Sequence, residues 1–214
     1  MRYRGLIFDL DGVLCSTDEY HYQAWKALAD RLGIPFDRAR NDMLRGVSRM
    51  DSLNIVLATG GKNWTPEEKE RLAEEKNRLY RERLSHMTPK DLSPEVRETL
   101  LTVRKLGLKM AVGSSSKNAG YILERLGMPE FFDVVVDGNQ LSKSKPDPEV
   151  FLKAAMKMGL SPGECLVTED AHAGVEAARR GGFDCAAMGA ARNDSRATFW
   201  LDHFSEIREL LMEV

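Results

Sequence analysis

Beyond Leu92 the chain settles into a rhythm that few folds can accommodate. Stretches with helical patterning at 94–106, 118–126, 147–158 and 173–180 alternate with short apolar runs at 109–112, 134–136, 165–167 and 184–187. The runs are too short for helices and are bounded by turn residues, so they read as strands buried on both faces. Strand–helix–strand alternation has one common layered solution, a parallel sheet covered by helices on both sides. Leu6-Ile7-Phe8 is one more such run and predicts the first strand. Between about 15 and 90 the rhythm is absent and only helices are predicted, over 19–32, 37–44, 49–57 and 66–84. The last of these opens with Thr65-Pro66-Glu67-Glu68, a capping Thr, a first-turn Pro and early acids. The expected fold class is therefore α/β, with a helical block inserted just after the first strand. After Gly189 the pattern carries little beyond a helix near the end.

A chain of 214 residues with 43% hydrophobic and 30% charged residues can bury a core without disulfides. Its net charge of −2, with both signs interspersed, offers no polyanion-binding face, so no nucleic-acid partner is expected. Cys15, Cys165 and Cys185 lie far apart and form no CxxC pair, which argues for buried, reduced thiols rather than zinc or a disulfide framework. The N-terminal Met1-Arg2-Tyr3-Arg4-Gly5 lacks a signal-peptide pattern, and no segment approaches the roughly 18 apolar residues of a membrane span. A cytoplasmic location with no membrane partner is the expectation, and a monomer the simplest state.

In an open parallel sheet, ligands bind at the carboxyl ends of the strands. The predicted ends carry Asp9 and Asp11, then Ser114, then Glu169 and Asp170. Carboxylates gathered at one edge repel one another unless a cation lies between them, and hard oxygen ligands suit Mg²⁺. A carboxylate there can attack phosphorus, and a second can exchange a proton with the attacking or leaving hydroxyl. Ser114 and Lys145, the latter in Ser144-Lys145-Pro146-Asp147, would neutralise phosphoryl oxygens. Taken singly, each feature has a plainer reading: a turn for Asp9-Leu10-Asp11-Gly12, a helix cap for Ser114-Ser115-Ser116, a solvated loop for Lys145, and dipole-favoured acids for Glu169-Asp170. The specificity lies in their conjunction and order.

Phe8-Asp9-Leu10-Asp11-Gly12-Val13, Ser114, Lys145-Pro146-Asp147-Pro148 and Thr168-Glu169-Asp170 together resemble the four motifs of the haloacid dehalogenase superfamily. The resemblance implies a Rossmann-like core over 1–15 and 92–214 with an inserted α-helical cap over 16–91. It implies that Asp9 is the phosphorylated nucleophile, that Asp11 is acid and base, and that Asp9, Asp11, Glu169 and Asp170 gather Mg²⁺. Glu169 could act there as a direct ligand or behind one, and Lys145 would tie Asp9 to the phosphoryl group. Within the superfamily, Tyr20 to Leu28, Arg45 to Leu53 and Lys76-Asn77 resemble the cap of the β-phosphoglucomutases. That branch implies a sugar phosphate as the small-molecule partner. Arg45, Gly46, Val47, Ser48, Arg49, Ser52 and Lys76 would contact it from the cap, and Ser115, Ser116, Lys117 and Asn118 from the core. It assigns Thr17 and His21 to positioning Asp11. A sugar- or polyol-phosphate phosphatase on the same scaffold is the alternative, and a non-catalytic binding protein the third. Thr168 stands where the family usually has a small or aliphatic residue, which raises the expectation of a hydrogen bond near the metal.

Overall fold

A computed structural model describes residues 2–44 and 47–212. Its centre is a six-stranded sheet built from β1 (Gly5–Phe8), β2 (Lys109–Gly113), β3 (Val134–Val136), β4 (Cys165–Glu169), β5 (Asp184–Ala187) and β6 (Phe199–Trp200). The strand order is β3-β2-β1-β4-β5-β6 and every pairing is parallel. This is the doubly wound order in which the chain leaves β1 first to one side and then to the other, opening a crevice where the direction reverses. In register, Phe8 of β1 lies between Val112 of β2 and Thr168 of β4. The residues that follow these three positions are thus delivered to one edge.

The period-two alternation of each strand sorts its side chains to two layers. Leu6, Phe8, Met110, Val112, Leu166 and Ala186 join one apolar cluster, shared with α5 (Pro94–Lys105), α6 (Ala119–Arg125) and α9 (Ile207–Met212). Ile7, Ala111, Val167, Cys185 and Ala187 join the other, under α7 (Glu149–Met158) and α8 (His172–Arg180). All three cysteines are buried free thiols, as expected.

Between β1 and α5 stand α1 (Asp18–Arg31), α2 (Arg38–Asp42), α3 (Arg49–Leu57) and α4 (Pro66–Leu84). They bury a cluster of their own around Trp25, Leu28, Ile34, Phe36, Leu53 and Leu72. Ala24, Tyr80, Leu84 and Met87 instead join the sheet-side cluster, so α1 and α4 are rooted in the core. The start of α4 carries the expected Thr65 cap and first-turn Pro66, and Glu68 completes a capping box with Thr65.

Two expectations shift. The helix expected from 147 begins at Glu149, because Asp147 precedes Pro148 and is biased away from helical geometry; its carboxylate instead accepts from the Glu149 N–H at 3.0 Å. The edge strand β6 was not foreseen: two residues, one of them exposed, leave no readable period. Among the described residues no helix is long and apolar enough to cross a membrane.

Candidate active site

Asp9 directly follows β1, Ser114 directly follows β2, and Glu169 ends β4, with Asp170 next. The expected convergence is therefore what the sheet produces. Asp9, Glu169 and Asp170 are all buried, and each offers a carboxylate oxygen within 4.8 Å of the others. Lys145 reaches the same point from the loop before α7: its Nζ donates to Asp9 Oδ1 at 2.6 Å and to Glu169 Oε1. Burial opposes the charge on this ammonium, but the adjoining Asp9 and Glu169 carboxylates push its pKa upward. Glu169 Oε2 accepts the N–H groups of Asp170 at 3.0 Å and Ala171 at 3.1 Å. Both oxygens of Glu169 are thus already engaged, and its direct geometric task is to orient Lys145 and the Asp170 turn.

Burial, then the charges of Asp9 and Glu169, push Asp170 up to about 8. Such a site is short of positive charge, and its hard oxygen donors match a divalent cation of the Mg²⁺ type. The backbone is cut to fit the same cradle. A Cβ on Gly12, which sits at φ +88°, would fall 2.0 Å from Asp170 Oδ2, and one on Gly174 would fall 1.9 Å from the Glu169 carboxyl carbon. The residues present fit such an ion.

Asp11, expected to share that ion, departs from the set. Its carboxylate is not part of the three-acid group; it accepts from Thr17 Oγ1 instead. Thr17 occupies the N-cap of α1 yet makes no side-chain cap bond, its hydroxyl being turned to Asp11. Burial and then the neighbouring Asp9 charge push Asp11 up to about 7, suited to exchanging a proton near neutrality.

Above this floor lies a cavity of about 960 Å³ between the core and the helical block. His21, Arg49, Ser52 and Lys76 line it from the helices; Ser115 and Asn118 line it from the core. Val47, Ser48, Ser114, Ser116 and Lys117 also face it. Ser48 doubles as the N-cap of α3, accepting from the Asp51 N–H at 3.2 Å. Lys76 is 2% exposed, with Nζ 2.8 Å from His21 Nδ1 and over the rings of Trp25 and Tyr80. Among the described residues no carboxylate forms an ion pair with Lys76 or Arg49. Arg45 and Gly46, also expected to contact substrate, lie outside the described residues. The side chain of Asn118 is already engaged from α4: its Nδ2 donates to Asn77 Oδ1 at 2.9 Å and its Oδ1 accepts from Arg81 at 3.3 Å. The backbone N–H of Asn118 donates to Ser116 Oγ at 3.2 Å.

The model of the haloacid dehalogenase-like hydrolases matches residues 3–182. The chain belongs to that family. Within it, a β-phosphoglucomutase of Bacillus subtilis is 42% identical over 188 residues, covering 87% of this chain and 83% of that one. A phosphorylated-carbohydrates phosphatase of Thermotoga maritima is 34% identical over 182 residues, covering 84% and 82%. Among solved structures, a β-phosphoglucomutase from Clostridium difficile superposes with a TM-score of 0.93 at 36% identity, covering 99% of this chain and 96% of that one.

Sequence reasoning passed over Tyr80. Its hydroxyl donates to Thr17 Oγ1 at 3.1 Å and its ring stacks on His21 at 4.0 Å, so it supports both residues expected to position Asp11. The available signal was its place four residues after Lys76 on the same helical face. The expectation for Thr168 is corrected: its Oγ1 is buried and has no hydrogen-bond partner. It shares the alternation of Leu166, whose side chain packs in the cluster with α5 and α6, whereas Glu169 lies on the opposite phase of the strand.

Proposed function

We propose that this protein is a Mg²⁺-dependent β-phosphoglucomutase, interconverting β-D-glucose 1-phosphate and D-glucose 6-phosphate through a phospho-aspartyl enzyme and β-glucose 1,6-bisphosphate. The carrying observation is the polarity of the cavity. Its floor holds a nucleophile and an acid/base, while its cap side presents Arg49 and Lys76 without carboxylate partners among the described residues. A hydrolase needs one phosphate site; an enzyme that turns a bisphosphate end over end needs a second, and a guanidinium fork suits it.

In this reading an Asp9 oxygen attacks the phosphorus and the bond from phosphorus to the sugar oxygen breaks. Asp11 gives its proton to the departing oxygen. In the reverse sense Asp11 removes the proton from the incoming hydroxyl as that oxygen attacks phospho-Asp9. Thr17, with Tyr80 behind it, holds Asp11 in place. Lys145 holds Asp9 through Oδ1, and Ser114, whose Oγ accepts from the Ser116 N–H at 3.1 Å, still has a proton to donate to a phosphoryl oxygen. Mg²⁺ held by Asp9 and Asp170 would offset the negative charge on the phosphoryl group. Residues 16–91 form the cap in this scheme and exclude water from the phospho-enzyme.

The 42% identity to the Bacillus subtilis mutase supports this reading, and the phosphatase relatives supply the second one. The test supplies β-glucose 1-phosphate, Mg²⁺ and a trace of the bisphosphate, and follows glucose 6-phosphate against free phosphate. Glucose 6-phosphate in large excess is the expected result. Predominantly free phosphate would make the protein a phosphatase, and neither product would return it to a binding role.

A further inference from the structure

Behind the acidic floor lies a second charged cluster that the phosphoryl chemistry does not use. It joins the loop after β5 to the first turns of α8. At its centre Asp194, 6% exposed, accepts from the Arg196 N–H at 3.0 Å, from Arg196 Nε at 2.8 Å and from His172 Nδ1 at 2.7 Å. Its own N–H donates to the Ala191 carbonyl at 2.8 Å, and its carbonyl accepts from Trp200 Nε1 at 2.9 Å. Arg196 also reaches the His172 carbonyl at 3.3 Å and Glu176 at 3.2 Å. A carboxylate taken out of water this fully persists only when its partners are well placed.

What the cluster encloses is the Glu169–Asp170 turn. The Met188 N–H donates to the Glu169 carbonyl at 2.9 Å and the Ala191 N–H to the Asp170 carbonyl at 2.9 Å. A Cβ on Gly189 would come within 3.3 Å of Asp170 Cβ, so the loop runs directly against that acid. His172 lies two residues past Asp170 on the other side. Asp194 therefore ties together the two chain segments that flank the turn.

We propose that Asp194, gripping His172 and Arg196, is a positioning residue that holds the Glu169–Asp170 turn in the geometry a divalent cation requires. Partners behind a metal ligand commonly govern affinity by roughly 10–100-fold when removed. The outer arm of the network, where Arg179 pairs with Glu176 at 3.0 Å, reaches no backbone group of the turn and serves as the control. The inference rests on reading Asp9 and Asp170, with Glu169 bracing the turn behind them, as a cation site.

The experiment is Mg²⁺ titration by calorimetry on the full chain without sugar, for wild type, Asp194→Asn, His172→Ala and Arg179→Ala, with circular dichroism as the check on folding. Mg²⁺ dissociation constants are expected to rise about tenfold for Asp194→Asn and several-fold for His172→Ala, and to stay unchanged for Arg179→Ala. Turnover at saturating Mg²⁺ is expected to remain within about twofold of wild type, since the clamp touches no reacting atom. Unchanged Mg²⁺ affinity in both folded inner variants, or equal weakening in Arg179→Ala, would overturn the clamp. If Asp194→Asn does not fold, His172→Ala decides, because that side chain is 64% exposed and dispensable to the core. A wild type that binds no Mg²⁺ would instead remove the cation-site reading itself.

Discussion

Lys76 is an expensive residue to fold. Burial, then the nearby Arg49 charge, hold its ammonium well below the ordinary range, and the same burial, then Lys76 itself, holds His21 well below 6.5. The sign for His21 is direct. Above pH 6.5 neither folded nor unfolded His21 is protonated; as pH falls below 6.5 the unfolded chain takes up a proton that the folded one refuses, and stability is lost. The loss approaches about 1.4 kcal/mol per pH unit down to the folded pKa. Melting temperatures of wild type and His21→Gln between pH 7 and 5 are expected to converge as the pH drops. Lys76→Met is expected to raise the stability of the unliganded protein by roughly 1 kcal/mol or more while sharply raising the KM for sugar phosphate. A loss of stability on that substitution would show that the ammonium is better paired than its surroundings suggest. Thr168→Val should be neutral or stabilising by about 1 kcal/mol in denaturant unfolding, since it removes a buried hydroxyl without a partner and keeps the shape. Gly174→Ala acts in the opposite direction. Its methyl must displace Glu169, so weakened Mg²⁺ binding is expected despite the better helix former.

At the scale of elements, local chemistry accounts for most boundaries. The expected ranges for α3 and α4 coincide with the observed Arg49–Leu57 and Pro66–Leu84, because Ser48 and Thr65 are side-chain caps that act within a few residues. Thr65→Ala should cost about 1 kcal/mol, read from the denaturant midpoint, by leaving the Glu68 N–H without its partner. Where reading from sequence fell short, either a neighbouring proline or a tertiary pairing was in control. The start of α7 was overridden by Pro148, whose effect falls on the residue before it. The edge strand β6 forms only because Ala186 and Ala187 of β5 offer it a backbone to pair with.

At the scale of the whole molecule, the helical block meets the core on both sides of the cavity. On one side Asn77 and Arg81 engage Asn118, and the Arg81 guanidinium lies 4.3 Å from the Tyr121 ring centroid. On the other, Ser144 Oγ donates to Asp51 at 3.4 Å. Arg81 touches no acid of the floor, so Arg81→Ala should act on closure and on the Asn118 side chain it holds, not on the phosphoryl step. Losing a cation–π contact worth about 1 kcal/mol shifts a closure equilibrium about fivefold toward open. A several-fold rise in KM for the sugar phosphate, with labelling of Asp9 by bisphosphate retained, is the expected outcome. An unchanged KM would mean that the Arg81 contacts do not bear on closure.

The sequence by itself determined the α/β class, the inserted helices and the acids at the strand ends. These follow from period, caps and strand termini, which are local, and from the rule that parallel strands share one open edge. Only the tertiary structure decided how those acids divide. Asp11 turned to Thr17 while Asp170 closed on Asp9 and Glu169, a partition set by which side chains the packed helices place nearby. Tyr80 and Asp194 came into view at the same stage, since 63 residues separate Tyr80 from Thr17 and 22 separate Asp194 from His172. Contacts across such separations depend on how whole layers pack: helical spacing puts Tyr80 on the face of Lys76, but nothing along the chain tells that this face meets Thr17.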